Sequence, residues 1–149
     1  IQSAIALCQK YDSPIARLVE KGIERIGRPL NDIQAAVENT GNVEVARLEK
    51  NLPMLATISG GAPMIGFLGT VSGMIQAFFR MSTAGNNIDI TLLSGGIYEA
   101  MVTTVGGLFV GIIAYFGYNF LTSQISNLVF KMERTTIEFI DMLQEPADN

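Results

Sequence analysis

The sequence predicts an all-α membrane protein with two transmembrane helices and long helical extensions on either side. Three observations predict it. Hydrophobic residues make up 48% of the chain and charged residues only 16%, against about a quarter charged in ordinary soluble domains. The charge is partitioned, with no Asp, Glu, Lys or Arg from Asn51 to Phe79 or from Ala100 to Phe130. Each run exceeds the roughly 20 apolar residues that cross a hydrocarbon core of about 30 Å.

Residues 1–53 read as a helical segment outside the bilayer. Ile15, Leu18, Val19, Ile23 and Ile26 recur at helical spacing, with Arg17, Glu20, Lys21, Glu24 and Arg25 on the other side. Ser13-Pro14 predicts a helix start, because Ser caps well and Pro suits the first turn. Gly27, Arg28 and Pro29 interrupt the pattern. Asn31-Asp32 opens a second helix, Gly41-Asn42 is expected to break it, and Val45, Leu48, Leu52 and Leu55 line a third.

Residues 54–82 form the first span. Its Gly and Pro content suits a membrane helix, where small residues let neighbours approach closely. Residues 83–94 are polar and turn-rich and read as a short periplasmic loop. Residues 95–121 form the second span, several times longer than a strand. Amphipathic periodicity then returns over 122–149. Ile125, Leu128, Val129, Met132, Phe139 and Leu143 share one side, and the last residues read as a disordered tail. Lys10, Arg17, Lys21, Arg25, Arg28, Arg47 and Lys50 precede the first span, and Lys131 and Arg134 follow the second. The stretch between holds only Arg80. The positive-inside rule then places both termini of this chain in the cytoplasm. The chain opens at Ile1 rather than Met, so a preceding segment is expected.

Several function classes are disfavoured. The net charge is −4, and no basic stripe interleaved with aromatics suggests nucleic acid. Histidine is absent and Cys8 stands alone, which removes the commonest general base and metal ligand and any disulfide framework. Neither an enzyme, nor a cofactor, nor a metal site is expected.

Glu99 is the residue that needs explaining, as the one acid at the edge of the second run. Ionisable groups in membrane segments are costly and usually face a bundle interior or an aqueous path. A Glu near a helix N-terminus is also favoured by the macrodipole alone, and both explanations stand. Thr103 lies four residues on, on the same helix face, whereas Thr104 is rotated away. Thr70 sits among Gly66, Gly69 and Gly73. Gly69 and Gly73 are four apart, as are Gly107 and Gly111, a spacing that permits close helix packing, and Gly106 adjoins them.

Ala62-Pro63-Met64-Ile65-Gly66-Phe67-Leu68-Gly69-Thr70-Val71-Ser72-Gly73-Met74 resembles the Gly-Leu-Leu-Gly-Thr-Val-x-Gly-Met pattern in the second membrane helix of the MotA/TolQ/ExbB proton-channel family. Gly96-Ile97-Tyr98-Glu99-Ala100-Met101-Val102-Thr103-Thr104 resembles the start of that family's third helix, departing at Gly95, where relatives carry Pro. The resemblance is closer to ExbB and TolQ than to flagellar stators. It matches Thr70, Glu99 and Thr104 to the family's polar membrane positions and puts a small apolar residue at Thr103, so which threonine lines a proton path stays open.

The resemblance implies an inner-membrane, multi-pass subunit of a proton-driven motor, assembled as a homopentamer. It also implies an ExbD/TolR-like single-span partner with a membrane aspartate, and a TonB- or TolA-like protein beyond it. The work done would be outer-membrane transport or envelope integrity. A non-conducting membrane scaffold, with Glu99 merely interfacial, and a flagellar-stator-like subunit are the alternatives. A soluble all-α binding module would have to bury two Gly-rich apolar helices in a small domain.

Overall fold

A computed structural model describes residues 2–84 and 90–144. Among these every regular element is an α-helix: α1 (Gln2–Lys10), α2 (Pro14–Ile23), α3 (Leu30–Glu49), α4 (Leu52–Thr83) and α5 (Ile90–Gln144). Two compact units result. One joins the residues up to Lys50 with those from Thr122 onward, and the other is Asn51–Leu121.

The first unit is built as water demands. Ser13 caps α2, its hydroxyl accepting from the Ala16 amide at 3.1 Å, with Pro14 in the first turn. Gly27, with φ at 99°, supplies the left-handed residue that lets the chain turn towards α3. Leu18, Val37 and Met132 form a buried apolar cluster, flanked by Ile15, Val45, Leu128 and Phe139. Gly22 makes room for the Phe139 ring.

Two expectations are corrected here. Gly41-Asn42 does not break a helix. α3 runs through it to Glu49, and a Cβ at Gly41 would lie 3.4 Å from Leu18, in ordinary contact. Ile26 stays exposed, whereas Ile140 joins the buried set.

The unit also buries a carboxylate, Glu44, only 4% exposed. Arg17 grips it with a two-pronged fork, Nε donating to Oε1 at 3.0 Å and Nη2 to Oε2 at 2.7 Å, while Arg47 Nη1 lies 3.5 Å from Oε1. Arg17 also pairs with Asp12. The Arg17 hydrogen bond holds the Glu44 carboxyl below its ordinary range, outweighing burial, which pushes it up.

The second unit is α4 with the first part of α5. Two helical stretches, within Leu30–Thr83 and Leu93–Gln144, are long and apolar enough to cross a membrane. Only 6% and 17% of their most apolar windows are buried, so they are not the core of a soluble fold. Met64, Ile65, Phe67, Leu68, Phe109 and Phe116 all point outward, a surface suited to lipid or protein. The chain is an all-α membrane protein.

The expected loop over 83–94 is shorter than predicted. α5 has begun by Ile90 and runs through Ser94, Gly95 and Gly96. Gly96 is a packing residue, since a Cβ there would lie 2.7 Å from that of Ala77. The remainder of the loop, residues 85–89, and the expected disordered tail, 145–149, lie outside the described residues.

The Glu44 pair sets an acid limit. A carboxyl depressed by folding contributes stability above its unfolded pKa, and that contribution is lost as pH falls through the folded value. Breaking a buried pair costs about 3–5 kcal/mol, and the partly solvated Arg17 brings that to roughly 2–3 kcal/mol for Glu44→Gln at pH 7. The gap between parent and Glu44→Gln melting temperatures, followed by circular dichroism in detergent, should be largest near neutrality and shrink below about pH 4. A gap that does not vary with pH would remove the carboxylate from the account.

Candidate functional site between the two membrane helices

α4 and α5 pack antiparallel along a stripe of small residues. Gly73 meets Ala100, Gly69 meets Thr103, Gly66 meets Gly107 and the Thr104 backbone, and Gly111 meets Pro63. The partner falls in number as the α4 residue rises. On α4 the stripe is Gly66, Gly69, Gly73 and Ala77, and on α5 it is Gly96, Ala100, Gly107 and Gly111, which is helical periodicity applied to size rather than polarity.

The closest approach is backbone against backbone. A Cβ on Gly107 would lie 2.6 Å from the Ala62 carbonyl oxygen and 2.8 Å from the Gly66 Cα. Gly111 faces the ring of Pro63. That proline has no amide for the Ser59 carbonyl, so the helix keeps its course with one hydrogen bond fewer. Gly106 is not brought to this contact, and a side chain there would meet nothing within 4 Å.

The close approach carries polar groups with it. The Thr104 hydroxyl donates across the helix pair to the Gly66 carbonyl at 3.1 Å. Thr70 donates to the same carbonyl within its own helix at 3.3 Å. The two hydroxyls also touch one another. Two hydroxyl protons thus serve three contacts, and the pair can be satisfied in more than one arrangement. Thr103 is turned elsewhere. Its hydroxyl bonds back to the Ala100 carbonyl at 2.7 Å, and its side chain packs over Gly69. Thr70 therefore meets Thr104 and not Thr103.

Glu99 lies nearer the loop end of the pair. It lines a groove of about 240 Å³ with Thr103 from α5 and Ser72, Gln76 and Arg80 from α4, floored by Gly69 and Gly73. Its side chain is exposed in the single chain, and among the described residues no cation lies within ion-pairing distance of it. So Glu99 and Thr103 share the groove, as their spacing predicts, while Thr70 and Thr104 form a separate cluster deeper along α5.

The α4 wall of the groove escaped the sequence analysis. Ser72, Gln76 and Arg80 are spaced i, i+4, i+8 on a mainly apolar helix, and that periodicity was the available signal. Among the described residues no group of His, Cys, Asp and Glu is arranged to hold a metal ion.

Comparison with known proteins places this geometry in context. Residues 10–134 match the MotA/TolQ/ExbB proton channel family. The chain is 32% identical over 124 residues to an ExbB homolog of Methanothermobacter thermautotrophicus named for biopolymer transport, covering 83% of this chain and 43% of that protein. It is 34% identical over 106 residues to the Tol-Pal system protein TolQ of Haemophilus influenzae, with 71% and 46% covered. It is 32% identical over 101 residues to the biopolymer transport protein ExbB of Xanthomonas campestris pv. campestris, with 68% and 40% covered. The chain spans less than half the length of each of these relatives.

Two adjacent glycines should respond differently to the same change. Gly107→Ala forces a methyl group against backbone that cannot step aside and should destabilise the pair by about 1–3 kcal/mol. Gly106→Ala, facing open space, should be neutral or stabilise by up to about 1 kcal/mol, since Ala is the better helix former. Thermal unfolding of both variants in detergent checks this, and equal effects would refute the backbone contact.

Proposed function

Because the chain belongs to the MotA/TolQ/ExbB proton channel family, we propose that its two spans form part of a proton path, with Glu99 as the group that takes up and releases the proton. The observation that carries this is the polar series between two otherwise apolar helices: Glu99 in its groove, then the Thr70–Thr104 hydroxyl pair on the Gly66 carbonyl. Thr104 is five residues beyond Glu99, a rise of about 7.5 Å along the helix. A carboxyl at the mouth of an uncharged span can exchange a proton with water on one side. A hydroxyl pair with two hydrogen-bond arrangements can relay the change inward without carrying charge. Thr103, hydrogen-bonded to its own helix, shapes the groove.

The whole subunit would act as an inner-membrane motor element. Several copies, five by the family resemblance, would ring a single-span ExbD/TolR-like partner whose membrane aspartate exchanges protons with this path. Motion of the partner would reach a TonB- or TolA-like protein. The name of the ExbB relatives favours biopolymer transport as the work done, and that of the TolQ relative favours a Tol-Pal role. The flanking charge supports a topology with both ends of this chain in the cytoplasm.

Glu99→Gln preserves shape and most hydrogen bonding while removing the titration. In the full-length complex it should leave the oligomer intact by native mass spectrometry and reduce proton-driven activity in cells by at least about 100-fold, the range lost when a general acid–base group is removed. Full activity with an intact complex would reduce Glu99 to a residue favoured only by the helix dipole.

Topology has its own test. With Cys8 replaced by Ser, a cysteine at Ala84 should react with a membrane-impermeant maleimide added outside the inner membrane, and cysteines at Lys10 or Arg134 should not. Reaction at either of the latter would invert or break the arrangement.

A further inference from the structure

Ser72, Gln76 and Arg80 follow one another at i, i+4, i+8 along α4, and all three line the groove that holds Glu99. The register of the helices fixes their order. Gly73 meets Ala100 and Ala77 meets Gly96. Glu99 lies within that interval on α5, and Gln76 lies within it on α4. Arg80 is one turn further towards the loop, and a long guanidinium side chain can reach back along the groove. Arg80 is the one charged group that α4 contributes to the lining, and Glu99 is the one titratable group that α5 contributes, among the described residues. An arginine at a helix end can simply extend to the membrane interface. That role requires neither a shared groove nor the i, i+4, i+8 series ending on it.

We infer that Arg80 is a positioning residue for Glu99: the fixed counter-charge that α4 supplies to the ionised carboxylate, with the Gln76 amide as the hydrogen-bond donor between them. The inference rests on the reading of Glu99 as the proton-exchanging group. In this arrangement the deprotonated carboxylate turns towards Gln76 and Arg80. The protonated, neutral form is released from that attraction and is free to face the Thr103 side of the groove. An ionisable group inside a membrane segment ordinarily needs such a partner. The groove is open enough for water to bridge the groups while Arg80 makes no direct contact.

The test uses the full-length complex in proteoliposomes, read by infrared difference spectroscopy between protonated and deprotonated states. The parent should show a carboxyl stretching band that is lost in Glu99→Gln and is therefore assigned to Glu99. In Arg80→Gln that band should move and proton-driven activity should fall on the order of tenfold, the size of one lost charge interaction in a partly solvated site. Arg80→Lys, which keeps the charge but not the fork, should restore the band position and most of the activity. Gln76→Leu should move the band in the same direction and serves as the second variant should Arg80→Gln not assemble. A Glu99 band unmoved in Arg80→Gln and Gln76→Leu would overturn the inference and leave the proton role of Glu99 standing. Absence of any Glu99 band would overturn both.

Discussion

The membrane unit depends on one contact, the approach of the Gly66 and Gly107 backbones, where a single added Cβ would fall 2.6 Å from a carbonyl oxygen. Between lipid-exposed helices there is no water to expel, so burial of apolar surface contributes little. What remains is close packing and a few hydrogen bonds. Small residues are therefore the adhesive, and their register decides which polar groups meet. With the backbones this close, the short Thr104 side chain reaches a carbonyl on the neighbouring helix. The same register lines one groove with Glu99 and Gln76.

The helix α5 shows how the rule changes along one element. In the membrane unit its inward residues are Gly96, Ala100, Thr104, Gly107 and Gly111, and its large side chains, such as Phe109 and Phe116, point out. From Thr122 onward the pattern inverts. Leu128, Met132 and Phe139 turn to an interior shared with Leu18 and Val37, and Lys131, Glu133 and Arg134 are exposed. Where water is present, burying large apolar groups stabilises. Where lipid surrounds the helix, exposing them costs nothing. A charge can be buried in the first unit because Arg17 and Arg47 both meet Glu44. Among the described residues of the second unit, the two charged side chains, Arg80 and Glu99, both line one groove.

The spans, the capping Ser13 and the spacing of the packing glycines were legible in the sequence because each depends on local pattern. Glycine as a turn signal misled at Gly41, which lies inside α3 beside Leu18, whereas Gly96, inside the expected second span, packs against Ala77. Only the tertiary neighbour tells those uses apart. Helix angle alone paired Thr103 with Glu99, and the groove agrees. It could not show that Thr104 meets Thr70, which depends on the partner helix. Nothing local in the sequence marks Glu44, because its burial is decided by Arg17 on α2, 27 residues away. The Ser72–Gln76–Arg80 stripe was visible as spacing but masked by the apolar average of the helix around it.

The division between Glu99 and the hydroxyl pair follows from what each group costs to bury. An ionised carboxylate loses far more hydration free energy in a low-dielectric interior than a hydroxyl does. A hydroxyl's smaller loss is offset by the hydrogen bonds it makes inside the protein. A membrane helix that must present both therefore does best with the carboxyl at the open end and the hydroxyls within. That is the order here: Glu99 is exposed in its groove, while Thr70 and Thr104 are part-buried and bonded to the Gly66 carbonyl. On the proposed reading, the proton is taken up at Glu99 at the open end, so no ionised carboxylate has to enter the dry contact between the helices. Position 66 serves twice in such a scheme: its missing side chain lets α5 approach, and its carbonyl then accepts from both threonines.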